Sequence, residues 1–307
     1  MNSESRGALY GIGAYGLWGV FPLYFRLLEL SGALEVVVHR VLWSLLVCLA
    51  VVAAVRGWVE LRATLAVPRR VVTLGIGAVL LAVNWGVYVY AVNSGQVVEA
   101  SLGYYVNPLV TVLLGVLVLR ERLRPWQWAA VGVGAVAVAV LTIAYGRPPF
   151  IALTLALSFG LYGLIKNRVG ADVGALTSLT TETLTLALPA AGVLVWLVLT
   201  GQGHFTENPP WQGLLLTSVG VATVVPLLFF AAAARRVPLS TIGLLQYLTP
   251  TLQLLCGVLL LGEHMAPARW AGFGLVWVAL GVLTADTVHA ASKRRTAARF
   301  AEPVGAV

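Results

Sequence analysis

The chain is short of charge. Asp, Glu, Lys and Arg together make up 10% of its 307 residues, against about 25% in a soluble domain. So few charges cannot cover a water-facing surface, and a soluble globular fold is excluded. It is also short of cysteine. Cys48 and Cys256 sit in apolar runs far apart in the sequence, which argues against a disulfide framework and for buried thiols. The four histidines, His39, His204, His264 and His289, have no metal-ligand spacing, so no metal site is expected. No Gly-rich phosphate loop, nucleophile elbow or HExxH pattern is present, and no cofactor is called for. Paired carboxylates or a nucleophile–base pair at one depth are missing too, which speaks against an intramembrane enzyme.

What fills the sequence instead is apolar. Hydrophobic residues make up 59% and the mean hydropathy is +0.90. A membrane-spanning helix takes about 20 mostly apolar residues. Ten segments meet that need: 7–28, 34–55, 71–93, 96–119, 125–145, 149–167, 175–199, 211–234, 238–262 and 266–286. The breaks between them carry turn residues or charge. The first run is too long for a signal-peptide core and lacks a clear cleavage site, so it reads as a retained helix. The basic tail after Asp286 is Ala-rich and is expected to be disordered.

Lys and Arg set the direction of threading. With the N-terminus inside, 16 of the 20 Lys and Arg residues fall in cytoplasmic segments. Only Arg26, Arg147 and Arg269 fall outside, and Arg40 lies within a span. Ten spans then put both termini in the cytoplasm. The net charge of +8 is thus a topology signal facing the anionic inner leaflet of the lipid bilayer. It does not point to a nucleic-acid partner.

The chain also repeats itself. Shifted by 142 positions, Leu102 meets Leu244, Tyr105 meets Tyr247, Pro108 meets Pro250, Glu121 meets Glu263 and Trp128 meets Trp270. Near the start the shift becomes 144, laying Tyr15-Gly16-Leu17-Trp18-Gly19 on Phe159-Gly160-Leu161-Tyr162-Gly163. Each unit holds five spans, and an odd number makes the second copy enter the membrane from the other side. The expected fold is therefore all-α, with two inverted five-helix repeats at 1–147 and 148–287, and a basic cytoplasmic tail at 288–307. Secondary transporters are commonly built this way, with the solute held at the repeat interface.

Polar and helix-breaking residues collect where that interface is expected. Pro108 and Pro250 each lie about 18 Å into their spans at about 1.5 Å per residue. Proline frees the carbonyl four residues earlier, and broken backbone at that depth belongs against protein or a watery cavity. Both spans are expected to kink as hinges, with Asn107 and Thr249 rebonding freed groups. Tyr104, Tyr105, Asn107, Gln246 and Tyr247 are read as two cavity walls. Tyr15, Trp18, Trp43, Asn84, Trp85, Tyr88, Phe159 and Tyr162 complete an aromatic lining, suited to an apolar or aromatic organic solute, including a cationic one. Trp58, Trp126, Trp211 and Trp270 are instead interface anchors.

Ionisable groups inside the membrane are functional candidates. Glu35, His39, Arg40 and Glu99 form an expected outer cluster, with Arg40 paired to Glu99 or Glu35. Glu182, expected near the inner face, has Lys166 within reach. These sets are read either as static pairs closing helix ends or as gates in which one acid, Glu182 before Glu99, carries a proton. The small residues of spans five and ten suit packing struts or a homodimer face.

Taken together, Tyr15-Gly16-Leu17-Trp18-Gly19 with Pro22-Leu23-Tyr24-Phe25, His39-Arg40 with Trp43-Ser44, Asn84-Trp85, Glu99 to Leu109, Ser158-Phe159 with Tyr162-Gly163-Leu164, Glu182-Thr183, Pro226-Leu227-Leu228 and Gln246-Tyr247 with Pro250-Thr251 resemble the RarD group. That group belongs to the EamA branch of the drug/metabolite transporter superfamily. The resemblance covers roughly 7 to 290. It implies a ten-helix inner-membrane carrier in two inverted halves, from a family named for chloramphenicol sensitivity whose relatives export amino acids and other metabolites. The resulting expectation is a secondary transporter exporting small organic solutes by alternating access. A passive facilitator of the same fold and a non-transporting scaffold are the alternatives.

Overall fold

The computed structural model describes residues 3–120, 122–169, 173–205 and 209–301. Among these residues the chain is helical throughout, with no strand. The order is α1 (Ser3–Arg26), α2 (Ala33–Ala54), α3 (Trp58–Leu65), α4 (Pro68–Asn93), α5 (Val97–Leu119), α6 (Pro125–Tyr145), α7 (Phe150–Val169), α8 (Ala175–Leu199), α9 (Pro210–Ala234), α10 (Leu239–Leu245), α11 (Leu248–Leu255) and α12 (Pro267–Ala301). Glu121 of the internal repeat and the last six residues of the tail lie outside the described residues.

Eight segments are long and apolar enough to cross a membrane, with α7 contributing a shorter apolar stretch, Phe150–Lys166. Helix α1 is 24 residues long but falls outside that set. Its glycines, tyrosines, tryptophan and proline dilute its hydropathy. The short amphipathic α3, in the loop after α2, was not expected from the sequence.

Two expectations change and a third holds. The segment around Pro108 stays one continuous helix from Val97 to Leu119. The segment around Pro250 does break, into α10 and α11 with Gln246 and Tyr247 between them. A single π turn follows at Cys256–Leu260. That break falls at the carbonyl a proline at 250 leaves without a donor. The basic tail is helical as far as Ala301. Ala, Lys and Arg are strong helix formers, and no glycine or proline interrupts them before Pro303.

The chain divides into two compact units. One comprises Met1–Asn107 and Phe150–His264, the other Pro108–Pro149 and Met265–Val307. In the second, α6 and α12 pack on each other, with Gly272 against Leu141. Arg124 Nε donates to Asp286 Oδ2 at 2.8 Å, and the Arg269 guanidinium lies 4.2 Å from the Tyr145 ring centre.

The first unit holds the sequence-predicted site. Its helices approach closely where glycine permits. A Cβ on Gly220 of α9 meets the Trp43 backbone of α2 at 2.5 Å, and one on Gly103 of α5 meets the Ala152 carbonyl oxygen of α7 at 2.8 Å. In lipid such contacts replace the hydrophobic effect as the force between helices. Helix α1 lies antiparallel to α9 over its whole length. Gly7 abuts Arg236 and Val237 at one end. At the other, Gln212 Nε2 donates to the Leu27 carbonyl at 2.9 Å. Helix α7 runs along α4 in the same way, from Gly77 beside Ile165 to Asn84, whose Nδ2 donates to the Leu155 carbonyl at 3.1 Å.

Four glutamates tie helix starts and loops together. Glu263 accepts from the backbone N–H groups of Val97 (2.6 Å) and Val98 (2.9 Å) at the start of α5. Glu60 accepts from Gly174 N at 2.8 Å, just before α8. Glu99 accepts from Ile151 N at 2.9 Å, and Glu35 from His204 N and Phe205 N at 2.8 and 3.0 Å. The first turn of a helix has donors with no partner in the helix, and a carboxylate there also meets the positive end of the helix dipole. Glu263→Ala is expected to cost about 1–2 kcal/mol by removing this cap. The check is the midpoint of thermal unfolding in detergent, which should fall by several degrees. An unchanged midpoint contradicts the capping role.

Candidate functional site

Arg40 is the centre of one half of the site. It stands on α2, is 4% exposed, and its Nε donates to Thr223 Oγ1 of α9 at 2.9 Å. Rings surround its guanidinium: Trp85 of α4 at 4.0 Å, and Phe25 and Phe21 of α1 at 5.4 and 5.8 Å from their centres. The expected pairing with Glu35 or Glu99 is not formed. Both acids hold backbone N–H groups, which a helix start supplies in excess. Glu35 also lies 3.6 Å from His204 Nδ1. His39 is a packing residue here. Its Nδ1 accepts from Trp43 Nε1 at 3.2 Å, and its ring stacks on Phe205 at 4.8 Å.

Glu182 is the centre of the other half, on α8 and 1% exposed. Lys166 does reach it: Nζ donates to Oε1 at 2.7 Å. Tyr162 Oη donates to Oε2 at 3.1 Å and Ser178 Oγ to Oε1 at 3.1 Å. Lys166 also bonds Ser178. The acid is therefore charge-paired and hydrogen-bonded on both oxygens, which is what a buried carboxylate requires.

A line of aromatic rings joins the two halves. Phe25 meets Tyr88 (5.9 Å between ring centres), Tyr88 meets Tyr104 (5.8 Å), Tyr104 meets Phe159 (6.4 Å), and Phe159 meets Tyr162 (5.9 Å). Most of these contacts are edge-on or tilted, the favoured aromatic geometries. Asn84 fixes the middle of the line. It donates to Ser158 Oγ at 3.1 Å, and its Oδ1 accepts from Tyr104 Oη at 3.3 Å.

The remaining predicted residues gather along α1 and α11. Tyr15 and Trp18 pack edge to face at 5.6 Å, with Phe230 against both. Thr249 does not rebond a carbonyl freed within its own span. Its Oγ1 donates across to the Tyr15 carbonyl at 2.8 Å. Gln253 Nε2 donates to the Trp18 carbonyl at 3.1 Å, which is the one freed by Pro22. Tyr105 of α5 and Thr251 of α11 share a hydrogen bond of 2.7 Å. Asn107 Oδ1 is buried with no partner among the described residues. Gln246 and Tyr247 form the break itself.

Sequence reasoning missed Thr223, Ser178 and Gln253, and it gave Ser158 and Pro22 no role in the site. Pro22 alone was legible, since a proline inside an apolar run announces a freed carbonyl four residues back. Gln253→Leu is expected to strand the Trp18 carbonyl at a cost of about 1–3 kcal/mol. Thermal unfolding of the variant in detergent checks this, and an unchanged midpoint contradicts it.

The profile of the EamA-like transporter family matches residues 5–143 and again 148–285. The chain is 50% identical over 302 residues to a protein named RarD from Streptomyces exfoliatus, covering 98% of this chain and 95% of that one. It is 46% identical over 287 residues to an uncharacterized transporter of Pseudomonas aeruginosa, covering 92% and 94%. A solved crystal structure aligns with a TM-score of 0.57 at 22% identity, over 92% of this chain and 97% of the other. That likeness concerns the fold alone.

Proposed function

This chain belongs to the EamA-like transporter family, and from that membership we propose that it is a secondary transporter exporting small organic solutes across the inner membrane by alternating access. It is a multi-pass membrane protein. Ten spans are proposed: the eight apolar segments, α7, and α1. The full-length antiparallel contact of α1 with α9 supports counting it. The glutamate bridges agree with strict alternation, because each joins two points separated by an even number of crossings. The two five-helix repeats, 1–147 and 148–287, and the cytoplasmic placement of both termini rest on the internal repeat and on the Lys and Arg distribution.

The observation that carries the reading is the ring line between a buried cation, Arg40, and a buried acid, Glu182. Ionisable groups at that depth are costly, and a solute path gives them a purpose. The rings supply an apolar, aromatic surface between two charged ends. Glu182 is the proposed proton carrier. Its partners on α7 and α8 allow two arrangements: ionised and bound to Lys166, or protonated and released from it. Glu35 and Glu99 are proposed as static caps at the outer face. No nucleotide-binding loop occurs in the sequence, so an ion gradient is the proposed energy source.

The test is counterflow in proteoliposomes with amino acids, aromatic acids and chloramphenicol-like drugs, with and without a pH gradient. Exchange of one solute class that concentrates only with the gradient supports the proposal. Exchange indifferent to the gradient makes the protein a facilitator. Absence of exchange by folded protein overturns the transporter reading.

A further inference from the structure

A guanidinium in a membrane interior needs a counter-charge. Arg40 has none. Among the described residues its hydrogen bonding ends at the neutral Thr223 hydroxyl, and the rings of Trp85, Phe25 and Phe21 lie against it. The candidate acids are engaged elsewhere. Glu35 holds the backbone of residues 204 and 205, Glu99 holds Ile151, and Glu182 holds Lys166. Among the described residues the cage therefore carries one positive charge and no negative one. Beside it the Tyr88 hydroxyl is buried and also lacks a partner, and Tyr88 and Tyr104 lie within electrostatic reach of the guanidinium.

Resting on the transporter reading, we propose that the solute is an organic anion, a monocarboxylate with a planar or aromatic body. Its carboxylate binds the terminal nitrogens of Arg40 and accepts from the Tyr88 hydroxyl. Its body lies against Trp85, Tyr104 and Phe159. A guanidinium offers two parallel donors to a carboxylate, and an ammonium cannot reproduce that fork. In the structure the Trp85 face lies 4.0 Å from the guanidinium carbon, a cation–π contact. A cationic solute meets repulsion in this cage. A zwitterion leaves its ammonium without a counter-charge, because Glu182 is occupied by Lys166. The sequence allowed a cationic solute on the strength of its aromatic residues. The unpaired Arg40 reverses that preference.

Three probes with the same phenylalkyl body test the inference: 3-phenylpropionate, phenylalanine and phenethylamine. Binding to the full-length protein is read by calorimetry and transport by uptake into proteoliposomes. The expected order is acid, then zwitterion, then amine, with at least about tenfold between first and last. Arg40→Met is expected to weaken the acid by at least about tenfold, and Arg40→Lys by less. If Arg40→Met fails to fold, Tyr88→Phe keeps the ring and is expected to weaken the acid several-fold. The inference is overturned if the amine binds wild type as well as the acid does. It is equally overturned if a folded Arg40→Met or the Tyr88→Phe variant binds the acid unchanged. Uptake of the amine or of a neutral drug without uptake of the acid discards the anion and keeps the transporter. Uptake of no solute by folded protein discards both.

Discussion

Glu182→Gln is expected to reduce solute accumulation driven by a pH gradient to a ratio of about one, because the amide cannot take up and release a proton at this depth. Exchange at equal pH on the two sides should persist. The substitution preserves shape and replaces one of two engaged oxygens: Oε1 accepts from Lys166 and Ser178, Oε2 from Tyr162. The Lys166 side chain is 31% exposed, so its charge keeps partial access to surroundings other than Glu182. Loss of coupling, not loss of fold, is therefore the predicted phenotype. Uptake and counterflow measured on one preparation separate the two. Accumulation as high as wild type removes Glu182 from the coupling step.

The second large effect concerns the scaffold. Gly220→Ala is expected to destabilise the protein by about 1–3 kcal/mol through overpacking. The added methyl lands 2.5 Å from both the carbonyl carbon and the oxygen of Trp43. Backbone cannot swing aside as a flexible side chain can. The Trp43 indole donates to His39, which neighbours Arg40, so a shift here also disturbs the cage. Gly132→Ala is the control. Nothing lies within 4 Å of a Cβ there, and its stability should stay within about 1 kcal/mol of wild type. Thermal unfolding of the two variants in one detergent decides the matter. Equal midpoints contradict the close packing of α2 on α9.

How much of this was legible in the sequence depends on the kind of information each feature needs. Helix starts and stops were, because proline, glycine and charge mark them locally. One pairing was legible as well: the overlay of the two repeats placed Lys166 within reach of Glu182. Which neighbour a side chain faces was not. Glu35, Glu99 and Arg40 were read as one outer cluster. Their pairing failed because the orphan N–H groups of loops and helix starts compete for carboxylates, and those donors are invisible in a residue count. The neutral partner Thr223 sits 183 positions away, with nothing in its local sequence to single it out. Proline gave half an answer. Pro250 breaks its span and Pro108 does not, so the symmetry of the repeat did not extend to backbone geometry. The tail after Asp286 shows the opposite error, where charge suggested disorder and helix propensity prevailed.

Alternating access is the central claim, and two-sided thiol labelling tests it most directly. Cys48 and Cys256 are both free and buried, and replacing them with alanine provides a cysteine-free background. A single Phe159→Cys, on the ring line, is then exposed to a membrane-impermeant maleimide in right-side-out and in inverted vesicles. The account predicts labelling from each side, with a transported solute that traps one orientation raising the rate on one side while lowering it on the other. Labelling from one side only, or rates on both sides that move together, contradicts it.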